Sequence, residues 1–258
     1  MHRRTLLLAG SLFAAAAAGG EKAVAAPETS FKVDGHVALH AYQGMVEAHL
    51  TDVLTTIRAL AATSDAQGAS WPAIRPALER LGGDLATGAA IWFALPDGAY
   101  NSTQGVSADA SLADRDYFPA LIGGHDVVGR LVISKSTGHR SIIVATPVTR
   151  DGRVVGAIGV SDRARLVSRL VIDRMRLPPD LSFYALDVAG QAAIHLDPDR
   201  MFQSPAELGE PSLKAAVATM LSRPNGAVTY RFQGKTKTAL FERSDLTGWR
   251  FVLTRTRG

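Results

Sequence analysis

The sequence has 258 residues, contains no cysteine, and carries 28 basic and 24 acidic side chains, for a formal net charge of +4. Without cysteine the chain can form neither a disulfide nor a thiolate metal site, and it offers no cysteine nucleophile. Its basic residues are scattered and form no stripe interleaved with aromatic residues, so we expect no binding to nucleic acid.

The first residues have the layout of an export signal. A basic head with Arg3 and Arg4 precedes an uncharged apolar stretch over residues 5–20, and small residues follow at Ala23 and Ala25, as at a cleavage site. The apolar stretch is shorter than the roughly 20 residues that a membrane-spanning helix needs. The pattern predicts a signal peptide over residues 1–25 and a periplasmic or secreted protein, exported by the Sec or the twin-arginine route. An uncleaved N-terminal anchor is the alternative.

Residues 26–83 are expected to form two helices. Apolar residues recur at three- and four-residue steps over residues 34–63, which predicts one unusually long helix. Ser70 can cap a second, shorter helix, with Pro72 in its first turn, and Gly82 and Gly83 end it.

Residues 84–177 read as a first module with an antiparallel sheet. Turn signals at residues 96–98, 137–138 and 151–152 separate runs with strand character, and short turns between successive strands favour antiparallel pairing. A helix is predicted from Asp162 to residue 176, and the break at residues 177–180 marks the boundary of the module. The predicted strands cover residues 89–95, 99–104, 127–135, 141–149 and 153–160.

Residues 178–258 repeat this scheme on a smaller scale. A hairpin turns at residues 189–190, a helix covers residues 212–221, and three strands follow. The sequence therefore predicts the α+β class, with a long N-terminal helix followed by two PAS-like modules that have antiparallel sheets. The predicted strands cover residues 182–188, 191–196, 226–233, 235–243 and 249–255.

Several short segments carry a resemblance to a known family. The segments are residues 92–98, 114–118, 143–148 and 151–159 in the first module, and 183–187, Gly190, His195, 230–232 and 247–249 in the second. In this order they resemble the double Cache family of extracytoplasmic sensor domains. The resemblance implies that the first module is the membrane-distal type with a ligand pocket and the second the membrane-proximal type. Members of the family bind amino acids, amines or carboxylates and are usually the outer parts of chemoreceptors, histidine kinases or diguanylate cyclases.

The resemblance also implies a ligand site around residues 114–118. In the family this segment crosses the mouth of the distal pocket. Arg115 would then pair with a ligand carboxylate through its planar fork, and Tyr117 would cover the ligand. Trp92 could form an aromatic wall. In the alternative interpretation Asp114 and Asp116 only neutralise Arg115, and Tyr117 and Phe118 belong to the core.

Hydroxyl groups on neighbouring strands are further candidates. Ser134 and Ser136 share one strand face, and Thr146 lies on the next strand. The amino-acid-binding branch of the family places an acidic residue just after the strand that contains Gly159, where this sequence has Ser161 in one alignment and Asp162 in the other. Because Asp162 could instead cap the helix that follows it, a small carboxylate is at least as plausible a ligand as an amino acid.

No motif indicates an enzyme, a cofactor or a metal site: the sequence has no nucleophile elbow, phosphate-binding loop or zinc-protease motif. We therefore expect a stand-alone exported sensor that binds a small organic ligand and signals through a membrane-bound protein. One alternative is an interaction module whose long helix pairs with a copy of itself, as a homodimer, or with a receptor helix. Another is a solute-binding protein that serves a transporter.

Overall fold

The computed structural model describes residues 33–85, 88–106 and 110–257. The signal peptide predicted over residues 1–25 lies outside the described residues. Within them, no helix combines the length and the apolar character needed to cross a membrane.

Six α-helices occur in the described residues. Asp34 caps the first helix, because its side chain accepts a hydrogen bond from the backbone N–H of His36 at 2.7 Å. Pro72 lies in the first turn of the third helix, as predicted. The helices are α1 (Gly35–Ala61), α2 (Ser64–Gln67), α3 (Trp71–Asp84), α4 (Phe118–Ile122), α5 (Ala164–Met175) and α6 (Pro211–Ser222).

Ten strands form two antiparallel sheets of five strands each. The first sheet has the order β2-β1-β5-β4-β3 and the second has the order β7-β6-β10-β9-β8, so the same connectivity occurs twice. The predicted α+β fold class is confirmed. The strands are β1 (Ala90–Ala94), β2 (Tyr100–Ser102), β3 (Val127–Ile133), β4 (Arg140–Arg150), β5 (Arg153–Arg163), β6 (Leu181–Leu186), β7 (Ala192–His195), β8 (Asn225–Phe232), β9 (Lys235–Arg243) and β10 (Arg250–Thr256).

The start of the helix after β5 differs from the prediction. A helix was expected from Asp162, but Asp162 lies in β5 opposite Ile142 of β4, and α5 begins only at Ala164. The pairing of β5 with β4 therefore includes Asp162, although aspartate at this position would favour the cap of a helix. The predicted boundary at residues 177–180 falls in the connection between α5 and β6.

Helix α1 packs against one face of both sheets. Near its start Tyr42 contacts Phe183 and Phe251 of the second sheet, with ring centroids 4.9 and 5.1 Å apart. Near its end Arg58 bonds to Asp126, beside the first sheet. We call the sheet face toward α1 the inner face and the opposite one the outer face. The apolar stripe of α1 is buried in this core, so it is not available for pairing with another helix; its members include Val46, Leu50, Val53, Leu54, Ile57 and Ala61.

The two sheets also meet directly. The indole Nε1 of Trp249 donates a hydrogen bond to the backbone carbonyl of Gly129 at 2.9 Å. Gly129 lies at a bulge of β3 with a φ of +85°, and a Cβ there would lie 2.9 Å from the Cβ of Thr247. Glycine is therefore required both for the conformation and for the close approach of the second sheet.

Candidate functional site

The outer face of the first sheet is covered by residues 110–122, which we call the covering segment. Its apolar side chains, among them Leu112, Tyr117 and Phe118, pack with Trp92 and Ile143 of the sheet in a core separate from that of α1. Between segment and sheet lies a cavity of about 10 Å³, the first cavity. Six of the predicted binding residues line it: Trp92, Arg115, Tyr117, Ser134, Ser136 and Ser161.

Trp92 forms the floor of the first cavity. It is paired with Gly159 on β5, where a Cβ would lie 2.0 Å from the indole ring. The ring can therefore lie flat against the sheet only because residue 159 is glycine. The indole Nε1 donates to the hydroxyl of Ser161 at 3.2 Å, which fixes the orientation of the ring.

Arg115 brings a positive charge to the cavity. Its Nη2 donates to the carbonyl oxygen of Ile133 at 2.7 Å, while its Nε is buried and has no acceptor among the described residues. The neighbouring carboxylates bond elsewhere, Asp114 to Lys135 at 2.6 Å and Asp116 to Arg130 at 3.2 Å. Neither aspartate forms an ion pair with Arg115 among the described residues, whereas Tyr117 and Phe118 do pack in a core, as that alternative expects.

The other polar groups of the first cavity are mostly neutral. Tyr117 is 3% exposed, and burial raises the pKa of its hydroxyl far above the usual range; burial also raises the pKa of Tyr100 beside it. Both phenols are therefore protonated donors at neutral pH. The hydroxyls of Ser134 and Ser136 lie 3.2 Å apart and can bond to each other.

Thr146 and Asp162 lie on the inner face of the first sheet and do not reach the cavity. Successive strand residues point to opposite faces, so Asp162 turns away from the cavity that Ser161 lines. Asp162 is fully buried and bonds to the Nε2 of His49 on α1 at 2.5 Å, while its Oδ1 has no partner among the described residues. Thr146 shares the face of Val144, which packs in the core of α1.

Neither a protein-family model nor a curated protein sequence matches the chain. Solved structures do match. The ligand-binding domain of the amino acid chemoreceptor PctB of Pseudomonas aeruginosa PAO1, in complex with L-Gln, is 17% identical with a TM-score of 0.68, over 86% of this chain and 89% of that chain. That of the Pseudomonas fluorescens chemoreceptor CtaA with L-alanine is 15% identical with a TM-score of 0.65, over 86% and 95%. The sensor domain of the V. cholerae histidine kinase DctB is 14% identical with a TM-score of 0.61, over 86% and 98%.

The fold is that of a Cache-type sensor domain. The resemblance derived from the sequence is thus confirmed for the fold, which the TM-scores establish. They specify neither the ligand nor the partner of this chain. These three neighbours are sensor or ligand-binding domains.

Five residues line the first cavity without having been selected from the sequence. Lys135 lies between the two predicted binding residues Ser134 and Ser136. In a strand its side chain would point to the face opposite theirs, and for that reason it was not selected. The structure ends β3 at Ile133, so residues 134–136 no longer alternate as in a strand. The five are Tyr100, Leu112, Val132, Lys135 and Ile143.

A larger cavity of about 260 Å³ lies on the outer face of the second sheet, and we call it the second cavity. Tyr184, His195, Tyr230 and Phe232 line it. These four residues contributed to the family resemblance, but sequence reasoning gave none of them a binding role. The sequence showed the motif residues, but it gave no information on the cavity that they line in the folded protein.

Proposed function

We propose that this protein is an exported sensor that binds a small organic carboxylate between the covering segment and the outer face of the first sheet. The observation that supports this most directly is the environment of Arg115. Its guanidinium lies at a cavity, its buried Nε has no acceptor among the described residues, and its neighbouring carboxylates bond to other cations. Buried donors are normally satisfied, so an anionic ligand would supply the acceptor that is lacking.

The charges around the first cavity favour a carboxylate over an amine. Among the described residues, Arg115 and Lys135 both line it and no acidic side chain does. An amino acid needs an acceptor for its ammonium group, and the position that faces the cavity holds Ser161, while Asp162 points to α1. The ligands bound to two of the neighbours, L-Gln and L-alanine, make an amino acid the alternative outcome of the test.

Ligand binding in the first cavity would require a conformational change. The space of about 10 Å³ is that of roughly one water molecule, so a ligand must displace Arg115 and Tyr117 away from the sheet. Strand β5 offers a path for such a change, because Ser161 lines the cavity and the next residue, Asp162, bonds to His49 of α1. We infer that movement of β5 is transmitted to α1 and from there to a membrane-bound signalling protein.

The pocket assignment is tested by calorimetry on purified protein, after a thermal-shift screen of small carboxylates, amino acids and amines. Propionate, L-alanine and ethylamine form a matched set, because propionate is L-alanine without its ammonium group and ethylamine is L-alanine without its carboxylate. We expect carboxylates to bind most tightly. Arg115→Gln should weaken the best ligand by about 10- to 100-fold, the range for a lost charge-assisted hydrogen bond.

The matched control is Arg75→Gln, because Arg75 is an exposed arginine on α3 that pairs with Glu79 and lies outside the cavity. This variant should bind like the wild type. The proposal is wrong if no compound of the screen binds, or if Arg115→Gln binds the best ligand as tightly as the wild type does. If L-alanine binds most tightly and Arg115→Gln loses that binding, the site is correct but its ligand is an amino acid and not a simple carboxylate.

A further inference from the structure

The second cavity occupies the same outer face as the first cavity does, but on the second sheet. Its floor is formed by side chains from three adjacent strands, Tyr184 of β6, Thr254 of β10 and Lys237 of β9. Residues 196–213 form its cover, which includes two short 3-10 turns and the start of α6. Its volume of about 260 Å³ is close to the lower end of the roughly 300–1,000 Å³ usual for small-molecule pockets.

Two cations, Arg200 and Lys237, and one carboxylate, Asp197, line this cavity. Arg200 bonds to Asp197 at 3.2 Å and lies 4.9 Å above the ring of Phe232, so its position is fixed from two sides. Lys237 has no carboxylate partner among the described residues. Burial, together with Arg200 and Lys235, lowers the pKa of Lys237, because its charge is repelled and partly desolvated. An anion beside Lys237 would relieve both costs.

The remaining polar groups of the second cavity are neutral hydrogen-bond donors. The Nδ1 of His195 accepts the backbone N–H of Asp197 at 2.8 Å, so the proton of the neutral ring lies on Nε2. Burial, with a contribution from Arg200, lowers the pKa of His195 to about 4, which keeps the ring neutral at pH 7. The hydroxyls of Tyr184 and Tyr230 lie 3.4 Å apart and stay protonated, because burial raises the pKa of both.

The lining also contains aliphatic and aromatic side chains, besides four further polar ones from Ser182, Gln203, Gln233 and Thr254. A molecule inside would bury a hydrocarbon body against the apolar side chains and place a charged head beside Arg200 and Lys237. A single carboxylate is matched by a lining whose formal charge is +1, from two cations and Asp197. The apolar residues are Ala192, Leu196, Pro205, Leu208, Leu213 and Phe232.

We propose that the second cavity is a second ligand site, which binds a small monocarboxylate with an aryl or branched-alkyl body. Lys237 and Arg200 hold the carboxylate, the hydroxyl pair and the Nε2–H of His195 donate to it, and the apolar wall takes the body. This site is distinct from the one proposed around Arg115, since the two lie on different sheets and share no lining residue.

Phenylacetate and isovalerate are the probes, measured by calorimetry on the purified protein. Their matched neutral analogues are phenylacetamide and isovaleramide, which keep the shape and remove the charge. We expect at least one carboxylate to bind, and to bind at least about 10-fold more tightly than its amide. Lys237→Gln should weaken that binding by at least about 10-fold. Lys214→Gln, which changes an exposed lysine on α6 outside the cavity, should leave it within about 2-fold of the wild type.

Arg115→Gln separates this inference from the proposed function. If the second cavity is the site, phenylacetate or isovalerate binds to Arg115→Gln as to the wild type. The inference is overturned if neither carboxylate binds, if the amides bind equally well, or if Arg115→Gln abolishes binding while Lys237→Gln does not. Unchanged melting temperatures of the variants without ligand would show that lost binding is not lost folding.

Discussion

The two sheets of this chain have the same strand order, yet the space over their outer faces differs greatly. Over the first sheet Trp92 lies flat on Gly159 and the covering segment packs against it, leaving about 10 Å³. Over the second sheet the hydroxyl pair of Tyr184 and Tyr230 lies below a cover formed by residues 196–213, leaving about 260 Å³. The shared topology fixes where a cavity can form, whereas side-chain volume and the charge of the cover decide how large it is and what it accepts.

The sheets also differ in how they are joined to α1. On the first sheet Asp162 is completely buried and bonds to His49, whereas on the second Glu242 is partly exposed and bonds to His40 at 2.6 Å. Both contacts join a histidine of α1 to a carboxylate on a strand. The two histidine–carboxylate contacts therefore have the same chemistry and differ in how deeply they are buried.

The largest effect is expected from removing the buried link. His49→Ala leaves the buried carboxylate of Asp162 without its partner and should lower the free energy of unfolding by about 3 kcal/mol. His40→Ala, the matched change at the exposed link, should lower it by less than about 1 kcal/mol. Urea unfolding of the two variants measures the difference, and equal losses would show that burial does not distinguish the links.

A slightly smaller loss of stability is expected from replacing Gly159, which lies beneath the indole ring of Trp92. In Gly159→Ala the new methyl group would lie 2.0 Å from the indole, so the ring must leave its place and the variant should lose about 2 kcal/mol of stability. Gly44→Ala is the control, because a Cβ at this position in α1 meets nothing within 4 Å and alanine favours the helix, so it should gain up to about 1 kcal/mol. Thermal unfolding checks both signs. If Gly159→Ala is as stable as the wild type, Trp92 does not depend on the glycine.

The pH dependence tests the second sheet. The pKa of His195 is lowered from 6.5 to about 4 in the folded protein, so the unfolded chain takes up a proton first as the pH falls. The contribution of His195 to the free energy of unfolding is complete above about pH 6.5 and is lost as the pH falls toward 4. Between pH 7.5 and 4.5 the wild type should lose about 2 kcal/mol more than His195→Gln, measured by urea unfolding at both values. Identical losses in the two proteins would contradict a neutral, buried His195.

Much of the fold follows from local sequence signals. The three- and four-residue spacing over residues 34–63 is a property of a helix alone, and α1 (Gly35–Ala61) agrees with it closely. The turn at residues 151–152 lies between β4 and β5, as predicted from an Asp-Gly pair. The error at Asp162 has a different origin, because the pairing of β5 with β4 competes with helix capping and is decided by a strand distant in sequence.

For the candidate site, the sequence by itself determined which residue types are present and, through the family resemblance, that Trp92, Arg115 and Tyr117 belong together. Only the tertiary structure decided that Ser161 faces the cavity while Asp162 bonds to α1, because one residue of register reverses the face of every side chain. Cavity volume likewise depends on contacts between segments far apart in the chain, such as the indole on Gly159. For that reason the sequence pointed to the first cavity by its motif, and the larger second cavity became visible only in the packed structure.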